Sequence, residues 1–565
     1  MDNKRLFLFV ALAFVVLLIW QAWQADYGQQ ALPVSAGTTA NPTNPKQAST
    51  SPPLTADVPQ ADQPITDPAA TATVPAAIAG GDNGFAHGQT VQVITDVVHA
   101  QIDTVGGDLR ELKLLNYPIA ANKPEQPFPL LNDTLPNLFV AQSGLIAGAN
   151  GPDHHAVFVP EQASYRLPEN ARELKVRLRW DGPAGITVTK VYTFSRNSYE
   201  IGLDYEINNA SAQAWSGRLY GQFQRVVDES QKSAFIYTYT GGVLSSVDNK
   251  YEKIDFDDMA DQDLNRTIKG GWAAILQHYF VGAWIPKADQ SNQYYSKALP
   301  GKRYILGVMT PETSIPAGTT GTLSTRMYAG PKLQDHLAEV APGLELTVDY
   351  GLLTVIAEPI FWLLKQIHDI VQNWGWSIVL LTLLIKLAFY KLSAASYRSM
   401  ANMRRLQPRI AALKERYGDD RQRMSQGMME LYKTEKINPL GGCLPVLVQI
   451  PVFIALYWVL LESVELRQAD FMLWINDLSS PDPYYILPLL MGITMFIQQK
   501  LSPAPPDPLQ AKVMMILPPV FTLFFAFFPA GLVLYWVANN TLSIAQQWYI
   551  TRTVEQGKGR SSPTK

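Results

Sequence analysis

The stretch "TLLIKLAFYK", residues 382 to 391, places a lysine inside an apolar run with the composition of a membrane helix. An ammonium at the centre of a bilayer costs about 2.5 to 3.5 kcal/mol, and roughly ten apolar neighbours at about −0.5 kcal/mol each outweigh that cost. The helix can therefore still insert. Two interpretations of Lys386 stay open: its side chain extends to the lipid headgroups, or its charge is kept in a hydrated cavity between helices.

The rest of the chain divides into two halves of different character. Its 565 residues are 47% hydrophobic and 17% charged on average. Residues 1–350 nevertheless look soluble apart from one N-terminal apolar segment, whereas residues 351–550 contain several long apolar runs. Cys443 is the only cysteine in the sequence, which excludes an internal disulfide and a cysteine-based metal cluster. The sequence therefore predicts a polytopic α-helical membrane protein that carries a large exported domain.

Residues 1–27 predict a transmembrane anchor with its N-terminus in the cytoplasm, because Lys4 and Arg5 precede an apolar run. A cleaved signal peptide is the alternative, but it requires a small residue near the position where Trp20 stands. Residues 28–84 are rich in Ala, Pro, Thr and Gln. Such a composition cannot bury enough apolar area to offset chain entropy, so this segment is predicted to be a disordered linker.

Residues 85–345 show the pattern of β-strands. In "KVRLRW", residues 175–180, apolar side chains alternate with basic ones, as in a sheet with one wet face. Turn-forming segments such as "DGPAG" separate the strands. The pattern predicts an antiparallel β-sandwich, and a carbohydrate-binding module is a rival interpretation. Four tryptophans either pack in the core or stack on a ligand: Trp180, Trp215, Trp272 and Trp284.

No sequence pattern for a metal or nucleotide site is evident. His154 and His155 are adjacent, but no acidic residue or cysteine stands at a ligand spacing from them. A phosphate-binding loop of the form GxxxxGK[ST] is not found either. We therefore expect the protein to use no metal and no other cofactor.

The second half predicts one interfacial helix followed by a five-helix membrane core, residues 373–552. Residues 351–372 carry charges at every turn along one face, which favours a helix lying in the plane of the membrane interface. Several of the core spans are only just long enough for a bilayer, which suggests local thinning. The spans are predicted at residues 375–392, 443–461, 484–500, 513–528 and 531–550.

Charges in the loops orient these spans. Nine lysines and arginines lie between Lys391 and Lys436, whereas the loop from Glu462 to Asp482 has one basic residue against five acidic ones. By the positive-inside rule the first loop is cytoplasmic and the second is external. With the anchor, this predicts six spans, both termini in the cytoplasm, the large domain on the external side and a basic cytoplasmic tail at 553–565.

The basic cytoplasmic loop, residues 393–440, predicts a helical hairpin because its apolar residues recur three or four positions apart. Met424 and Met428 either form the seam of this hairpin or offer an adaptable apolar surface to nascent chains and targeting factors. On the second interpretation, three arginines attract ribosomal RNA or anionic lipid: Arg404, Arg405 and Arg409.

Polar side chains recur within the predicted spans. Because polar groups facing lipid are costly, these residues and Lys386 are expected to converge on a water-filled interior. Each could instead join two helices by a hydrogen bond. The residues are Ser377, Thr382, Gln449, Gln498, Gln499, Asn539, Asn540, Thr541, Ser543, Gln546 and Gln547.

Three long segments resemble one known family. They are "ELYKTEKINPLGGCLPVLVQIPVFIALYWVL" (430–460), "SVELRQADFMLWINDLSSPDPYYILPLLMGITMFIQQK" (463–500) and "FPAGLVLYWVANNTLSIAQQ" (528–547). They closely resemble the YidC membrane protein insertases of Gram-negative bacteria, and the resemblance covers essentially all of residues 350–552. It implies a non-enzymatic insertase of the bacterial inner membrane, with its large domain in the periplasm. The five-helix core is expected to hold a hydrophilic groove, open to the cytoplasm and to lipid but closed externally.

The resemblance also implies roles for single residues. The family's intramembrane cation, commonly an arginine, falls on Lys386, which keeps the charge but lacks the guanidinium fork. Thr382, Tyr535 and Trp536 match positions that line or brace the groove, and Trp536 replaces a residue that is often tyrosine. Gln449 and Asn539 are expected among the polar residues of the same groove.

The partners that the resemblance implies are nascent membrane proteins, the Sec translocon, the ribosome with signal-recognition targeting factors, and membrane lipids. Client helices are expected to contact the 443–461 and 513–528 spans, which form an apolar slide. Two rival functions stay open from the residues alone. An intramembrane protease could use Lys386 as a base, although Ser377 lies about 13 Å along the helix. A secondary transporter would be expected to show internal repeats and more intramembrane charges.

Overall fold

The computed structural model describes residues 57–59, 85–148, 150–227, 238–418, 420–435, 444–502 and 508–557. The predicted anchor, nearly all of the predicted linker and most of the basic tail lie outside the described residues. The chain forms two compact units, and the larger one spans residues 54–503 and 518–565. Both β-sheets and all described helices belong to this larger unit, except for the first part of the helix that begins at Pro508.

Twenty short strands make up most of the described part of residues 85–345. In the strand Glu173–Asp181, Val176 and Leu178 are fully buried and Arg177 between them is half-exposed, which is the alternation that the sequence shows. In chain order the strands are β1 (Thr90–Ile94), β2 (Val98–Asp103), β3 (Asp108–Pro118), β4 (Pro127–Leu131), β5 (Phe139–Ile146), β6 (Val159–Pro160), β7 (Ser164–Arg166), β8 (Glu173–Asp181), β9 (Ile186–Ser195), β10 (Glu200–Asn209), β11 (Trp215–Val226), β12 (Gly241–Ser245), β13 (Glu252–Ile254), β14 (Asn265–Lys269), β15 (Trp272–Leu276), β16 (Phe280–Ile285), β17 (Ser291–Leu299), β18 (Arg303–Met309), β19 (Thr313–Ile315) and β20 (Thr319–Pro331).

The strands form two sheets. One has the order β14-β17-β18-β11-β5-β3-β2-β1-β7, with β19 paired to β11 and β4 to β3, and the other has the order β13-β12-β15-β16-β20-β10-β9-β8-β6. Within the described residues, neighbouring strands are antiparallel except for the parallel pair β1 and β7. Phe223 of the first sheet packs on Trp284 of the second, with ring centroids 5.7 Å apart. The predicted antiparallel β-sandwich is confirmed.

The core between the sheets is filled by aromatic side chains. Trp215, Trp272 and Trp284 have exposed fractions of 3%, 1% and 1%. A Cβ at Gly221 would lie 2.7 Å from the indole of Trp284, so the close contact between β11 and this ring requires glycine. The packing interpretation is therefore confirmed for these three tryptophans, and Trp180 is half-buried against the same core.

Helices dominate from residue 354 onward, at the positions where the sequence has apolar runs or the basic loop. Asn373 caps the second of these helices, because its side chain accepts a hydrogen bond from the backbone N–H of Trp376. The helices are α1 (Phe256–Asp261), α2 (Gln334–Val340), α3 (Thr354–Val371), α4 (Trp374–Ala388), α5 (Tyr390–Tyr417), α6 (Arg421–Thr434), α7 (Leu444–Glu462), α8 (Ile486–Leu501), α9 (Pro508–Phe525) and α10 (Ala530–Gly557).

Helix α4 ends at Ala388, four residues before the predicted end of the 375–392 span. Phe389 has φ −91° and ψ 9°, outside the helical region, and the chain turns by 70° into α5. Among the described residues, the length and apolarity expected of a membrane span are reached by the bent α4–α5 pair taken together and by no helix alone. This break was not predicted from the sequence, because neither glycine nor proline stands near Phe389 to signal it.

The predicted interfacial helix corresponds to α3, and its apolar side chains lie on more than one side. Ile360 and Leu364 are buried, whereas Val355 and Ile370 are 83% and 85% exposed. The buried side chains pack α3 against α4 and α7. A position in the membrane interface stays a prediction for this helix.

Polar contacts join the β-sandwich to the end of α7. Lys332, directly after β20, donates to the carboxylate of Glu462 at 3.2 Å, and both side chains are almost fully buried. His278 Nε2 lies 2.9 Å from the carbonyl oxygen of Leu461, to which the neutral ring donates. Arg467 donates at 2.8 Å to the carbonyl at the end of β3. These contacts fix the sandwich against the helical part of the larger unit.

We expect acidification to weaken this junction. Burial, assisted by the charge of Lys332, lowers the pKa of His278 to about 3. The folded-state pKa lies below the unfolded value of about 6.5, so the neutral His278 ring contributes its full stability above pH 6.5. This stability is lost as the pH falls toward 3, and the loss is about 2 kcal/mol at pH 5. Urea unfolding at pH 7 and pH 5 checks this.

The matched control is His278→Gln, which keeps an N–H donor and does not titrate. Between pH 7 and pH 5 its free energy of unfolding should fall by about 2 kcal/mol less than that of the wild type. An identical pH dependence in both proteins would contradict the assignment to His278.

Candidate functional site

A cluster of buried polar side chains lies where α4, the first turns of α5 and α10 pack together. Such groups are costly in apolar surroundings unless they pair with one another or with water. The buried members are Thr382 and Lys386 on α4, Ser393 and Ser396 on α5, and Ser543 and Gln547 on α10, whereas the buried Asn540 of α10 donates to Thr494 Oγ1 on α8 at 3.3 Å.

The ammonium of Lys386 points into this cluster. Its Nζ donates to Ser543 Oγ at 2.8 Å, and the Ser543 hydroxyl donates in turn to the carbonyl oxygen of Asn539 at 2.7 Å. Among the described residues, no carboxylate lies within 4.0 Å of Nζ, so dipoles rather than a counter-ion surround the charge. The residue is only 9% exposed. The side chain therefore lies between helices and does not extend to the helix end.

The other polar residues singled out in the sequence have different environments. Thr382 is 1% exposed, one helical turn before Lys386, and its hydroxyl donates to the carbonyl oxygen of Ile378 at 2.7 Å. Gln449 on α7 is half-buried and donates to Ser393 Oγ at 3.3 Å, which links α7 to α5. The structure thus connects Lys386 to Asn539 through Ser543, whereas Thr382 and Gln449 bond elsewhere.

Two aromatic residues hold α10 against α7. Tyr535 stacks on Phe453 with ring centroids 5.8 Å apart, and Trp536 meets the same ring edge-on at 4.8 Å. Trp536 also contacts Phe525, with ring centroids 5.6 Å apart.

Two buried polar atoms near these helices, Trp536 Nε1 and Gln547 Oε1, have no hydrogen-bond partner within the part of the chain that the structure describes. Such unpaired groups are where water or a bound polypeptide can supply the missing bonds.

Comparison with known proteins accounts for both halves of the chain. Residues 90–363 match the family described as the YidC periplasmic domain, and residues 366–557 match that described as the 60Kd inner membrane protein. This chain belongs to the YidC family of membrane protein insertases. Relatives named membrane protein insertase YidC are 54% identical over 560 residues in Nitrosococcus oceani (98% of this chain, 100% of the relative) and 51% over 564 in Methylococcus capsulatus (99% and 100%).

A solved structure titled "Active YidC insertase crystal structure with the first transmembrane domain resolved" is also similar. It covers 82% of this chain and 93% of its own, at 17% identity and a TM-score of 0.37. The family membership makes the chain an inner-membrane insertase with a periplasmic domain, whose substrates are membrane proteins and whose function is not enzymatic. The protease and transporter alternatives are thereby excluded.

Sequence reasoning missed part of this buried polar cluster. Ser393 and Ser396 lie on the first turns of α5, in a segment assigned to the cytoplasmic hairpin 393–440. Tyr397, which follows them, contacts Ser543 through its hydroxyl. The signal was the segment "SAAS", in which two small polar residues three positions apart share one helix face.

The methionines of the hairpin lie at its seam. Met424 and Met428 on α6 are half-buried. A Cβ at Gly427, between them, would lie 3.2 Å from the Tyr417 ring and 3.3 Å from Leu413, so α6 packs closely on α5. This arrangement supports the structural interpretation of these two methionines.

The arginines of the hairpin differ in their surroundings. Arg404 and Arg405 are exposed on α5. Arg409 is exposed as well, but its guanidinium forms an ion pair with Glu435 just beyond α6. Part of the positive charge of the hairpin is therefore used to hold its two helices together.

Proposed function

We propose that the cluster around Lys386 receives the translocated segment of a client membrane protein. The observation that carries the proposal is a buried ammonium whose hydrogen bond goes to the hydroxyl of Ser543, at 2.8 Å, rather than to a carboxylate. A buried charge without a counter-ion is costly, and an incoming carboxylate lowers that cost. An acidic client segment is therefore drawn toward this cluster, which we propose as the hydrophilic groove that the family resemblance implies.

The driving force is the transfer of the client's apolar helix into lipid. Twenty apolar residues at about −0.5 kcal/mol each supply about −10 kcal/mol, which outweighs the roughly 3 kcal/mol that one charged residue costs. No nucleotide is needed for such a step. We propose the 443–461 and 513–528 segments as the slide along which this helix leaves. Large apolar side chains are exposed on this part of the protein: Ile450 and Ile454 on α7, and Val520, Leu523 and Phe524 on α9.

The proposed topology has six spans with both termini in the cytoplasm. The distribution of lysine and arginine among the loops supports it. The proposed partners beyond the client are the Sec translocon, the ribosome with its signal-recognition targeting factors, and membrane lipids. Arg404 and Arg405 are exposed, which favours the ribosome and the membrane lipids as partners, because ribosomal RNA and anionic lipids carry phosphate groups.

Insertion into liposomes tests the proposed groove. Two clients are compared that differ only in their short translocated segment, which carries aspartates in one and asparagines in the other. Relative to liposomes without the protein, the wild type should accelerate insertion of the acidic client more than insertion of the asparagine client. Equal acceleration of both clients would contradict the role of the charge and leave the family assignment intact.

Charge reversal at Arg404 and Arg405 is expected to weaken binding to ribosomes or to anionic vesicles at least threefold at low ionic strength. The loss should shrink as salt is raised, because exposed charges are screened. Co-sedimentation across a salt series measures it. Arg409→Glu serves as the comparison variant. It reverses a charge in the same hairpin, but it also breaks the ion pair with Glu435 and should therefore lower the stability of the hairpin. Binding that is unchanged at every salt concentration would count against the docking role.

A further inference from the structure

A residue of the predicted linker is held on the periplasmic β-sandwich. Asp57 places one carboxylate oxygen 3.0 Å from His154 Nε2 and the other 3.0 Å from His155 Nε2. Its backbone carbonyl accepts a hydrogen bond from Gln222 Nε2 at 3.1 Å. The sequence showed no acidic partner for the two histidines, because Asp57 is separated from His154 by 97 residues. The described residues 57–59 are therefore an exception to the predicted linker.

We propose that Asp57, His154 and His155 form a binding site for a divalent transition-metal ion that ties the linker to the periplasmic domain. The two imidazole nitrogens and a carboxylate oxygen all lie within 4.8 Å of one another. Two imidazoles in a set of three donors select Cu²⁺, Ni²⁺ or Zn²⁺ over Ca²⁺ and Mg²⁺, which prefer oxygen. No thiol is needed for such a site.

The donor spacing indicates the geometry. Metal–nitrogen and metal–oxygen bonds of about 2.1 Å separate two donors by about 3.0 Å at a right angle and by about 3.4 Å at a tetrahedral angle. The two nitrogen–oxygen distances of 3.0 Å join the two imidazoles to different oxygens of the Asp57 carboxylate, so a carboxylate that binds through both oxygens would place each imidazole at about a right angle to its nearer oxygen. A tetragonal arrangement of nitrogen and oxygen donors is the preference of Cu²⁺ and Ni²⁺.

The neighbouring groups orient the proposed ligands. His154 is 1% exposed, and its Nδ1 lies 2.6 Å from the hydroxyl oxygen of Tyr220. This oxygen can accept a hydrogen bond from Nδ1–H, which leaves the lone pair of Nε2 free to bind the metal. The backbone N–H of His155 donates to Asp153 Oδ1 at 2.9 Å, which fixes the turn between the two rings. Tyr295 donates to Gln222 Oε1 at 2.8 Å and so holds the amide that binds Asp57.

Such a site would change the reach of the linker. With Asp57 fixed to the sandwich, only the segment between the anchor and Asp57, about half of residues 28–84, separates the membrane anchor from the domain. A metal ion would thus stabilise this shorter connection between the first span and the periplasmic domain.

Titration of the full-length, untagged protein in nanodiscs with Cu²⁺ tests the proposal. The wild type should bind one Cu²⁺, and its electron paramagnetic resonance spectrum should show coupling to two imidazole nitrogens. Asp57→Asn and His155→Ala should each lower the affinity at least tenfold, and His155→Ala should leave one coupled nitrogen. His336→Ala removes an exposed histidine of α2 and should change neither quantity.

Asp57 lies outside the β-sandwich core, so Asp57→Asn tests the site without the risk of unfolding the domain. Equal Cu²⁺ affinity in the wild type and Asp57→Asn would overturn the proposal, because the carboxylate would then only accept hydrogen bonds from the two rings. Binding of Ca²⁺ or Mg²⁺ with an affinity equal to that of Cu²⁺ would overturn it as well. Insertion of clients is a separate measurement, so failure here leaves the proposed groove untouched.

Discussion

Replacing Lys386 by glutamate is expected to lower the insertion rate of clients with acidic translocated segments at least tenfold. A pair of opposite charges at 4 Å in a partly hydrated site of effective dielectric near 20 is worth about 4 kcal/mol before desolvation. The variant exchanges this attraction for repulsion, and a difference of about 1.4 kcal/mol already changes a rate tenfold. Lys386→Ala should fall between the wild type and Lys386→Glu, and Lys386→Arg should retain function because it keeps the charge.

The client series separates a role in attraction from a role in packing. Clients whose translocated segment is neutral should be inserted by Lys386→Glu with a much smaller loss, measured in the same liposome assay. Lys391→Glu is the matched control, since it reverses a nearby exposed charge and should not distinguish the two clients. Ser543→Ala removes the hydrogen-bond acceptor of the ammonium, together with the contacts of that hydroxyl to Asn539 and Tyr397, and should keep the preference for acidic clients because the charge remains. Equal losses for both clients in Lys386→Glu would show that the lysine only supports the helices.

Local features of the sequence predicted most of the fold. Apolar runs placed α7 (Leu444–Glu462) and α8 (Ile486–Leu501) within two residues of the predicted spans 443–461 and 484–500. The alternation of side chains placed the strands. The break at Phe389 was not predictable in this way, because it accompanies the packing of α5 against α10, and no local residue signals it.

The site was predictable only in part, for the same reason. Lys386 stood out because a charge within an apolar run is a local anomaly. Its partner Ser543, 157 residues away, was one of eleven candidate polar residues that the sequence could not rank. Asp57 was hidden among the residues of a linker with no structural signal of its own. Tertiary contacts of this kind follow from the fold, and the pattern of one chain does not encode them locally.

Lys332→Met is expected to lower the free energy of unfolding by about 3 to 5 kcal/mol, because it leaves a buried carboxylate without its partner. Lys332 and Glu462 are 2% and 4% exposed and 3.2 Å apart, and Lys332 also donates to the carbonyl oxygen of Thr347 at 3.1 Å. Urea titration followed by tryptophan fluorescence measures the change. Arg179→Met breaks an ion pair whose side chains are 60% and 64% exposed, and should cost less than about 1 kcal/mol.

The double variant Lys332→Met, Glu462→Met decides what the buried pair does. Two apolar side chains of similar volume avoid the desolvation of both charges, so the double variant should recover most of the stability that Lys332→Met loses. The charge of Lys332 helps to lower the pKa of His278, so that pKa should rise both in Lys332→Met and in the double variant. The pH range over which acid weakens the junction between the β-sandwich and α7 should then become narrower. A double variant as unstable as Lys332→Met would contradict this account, because the loss would then come from the contact to Thr347 rather than from an unpaired carboxylate.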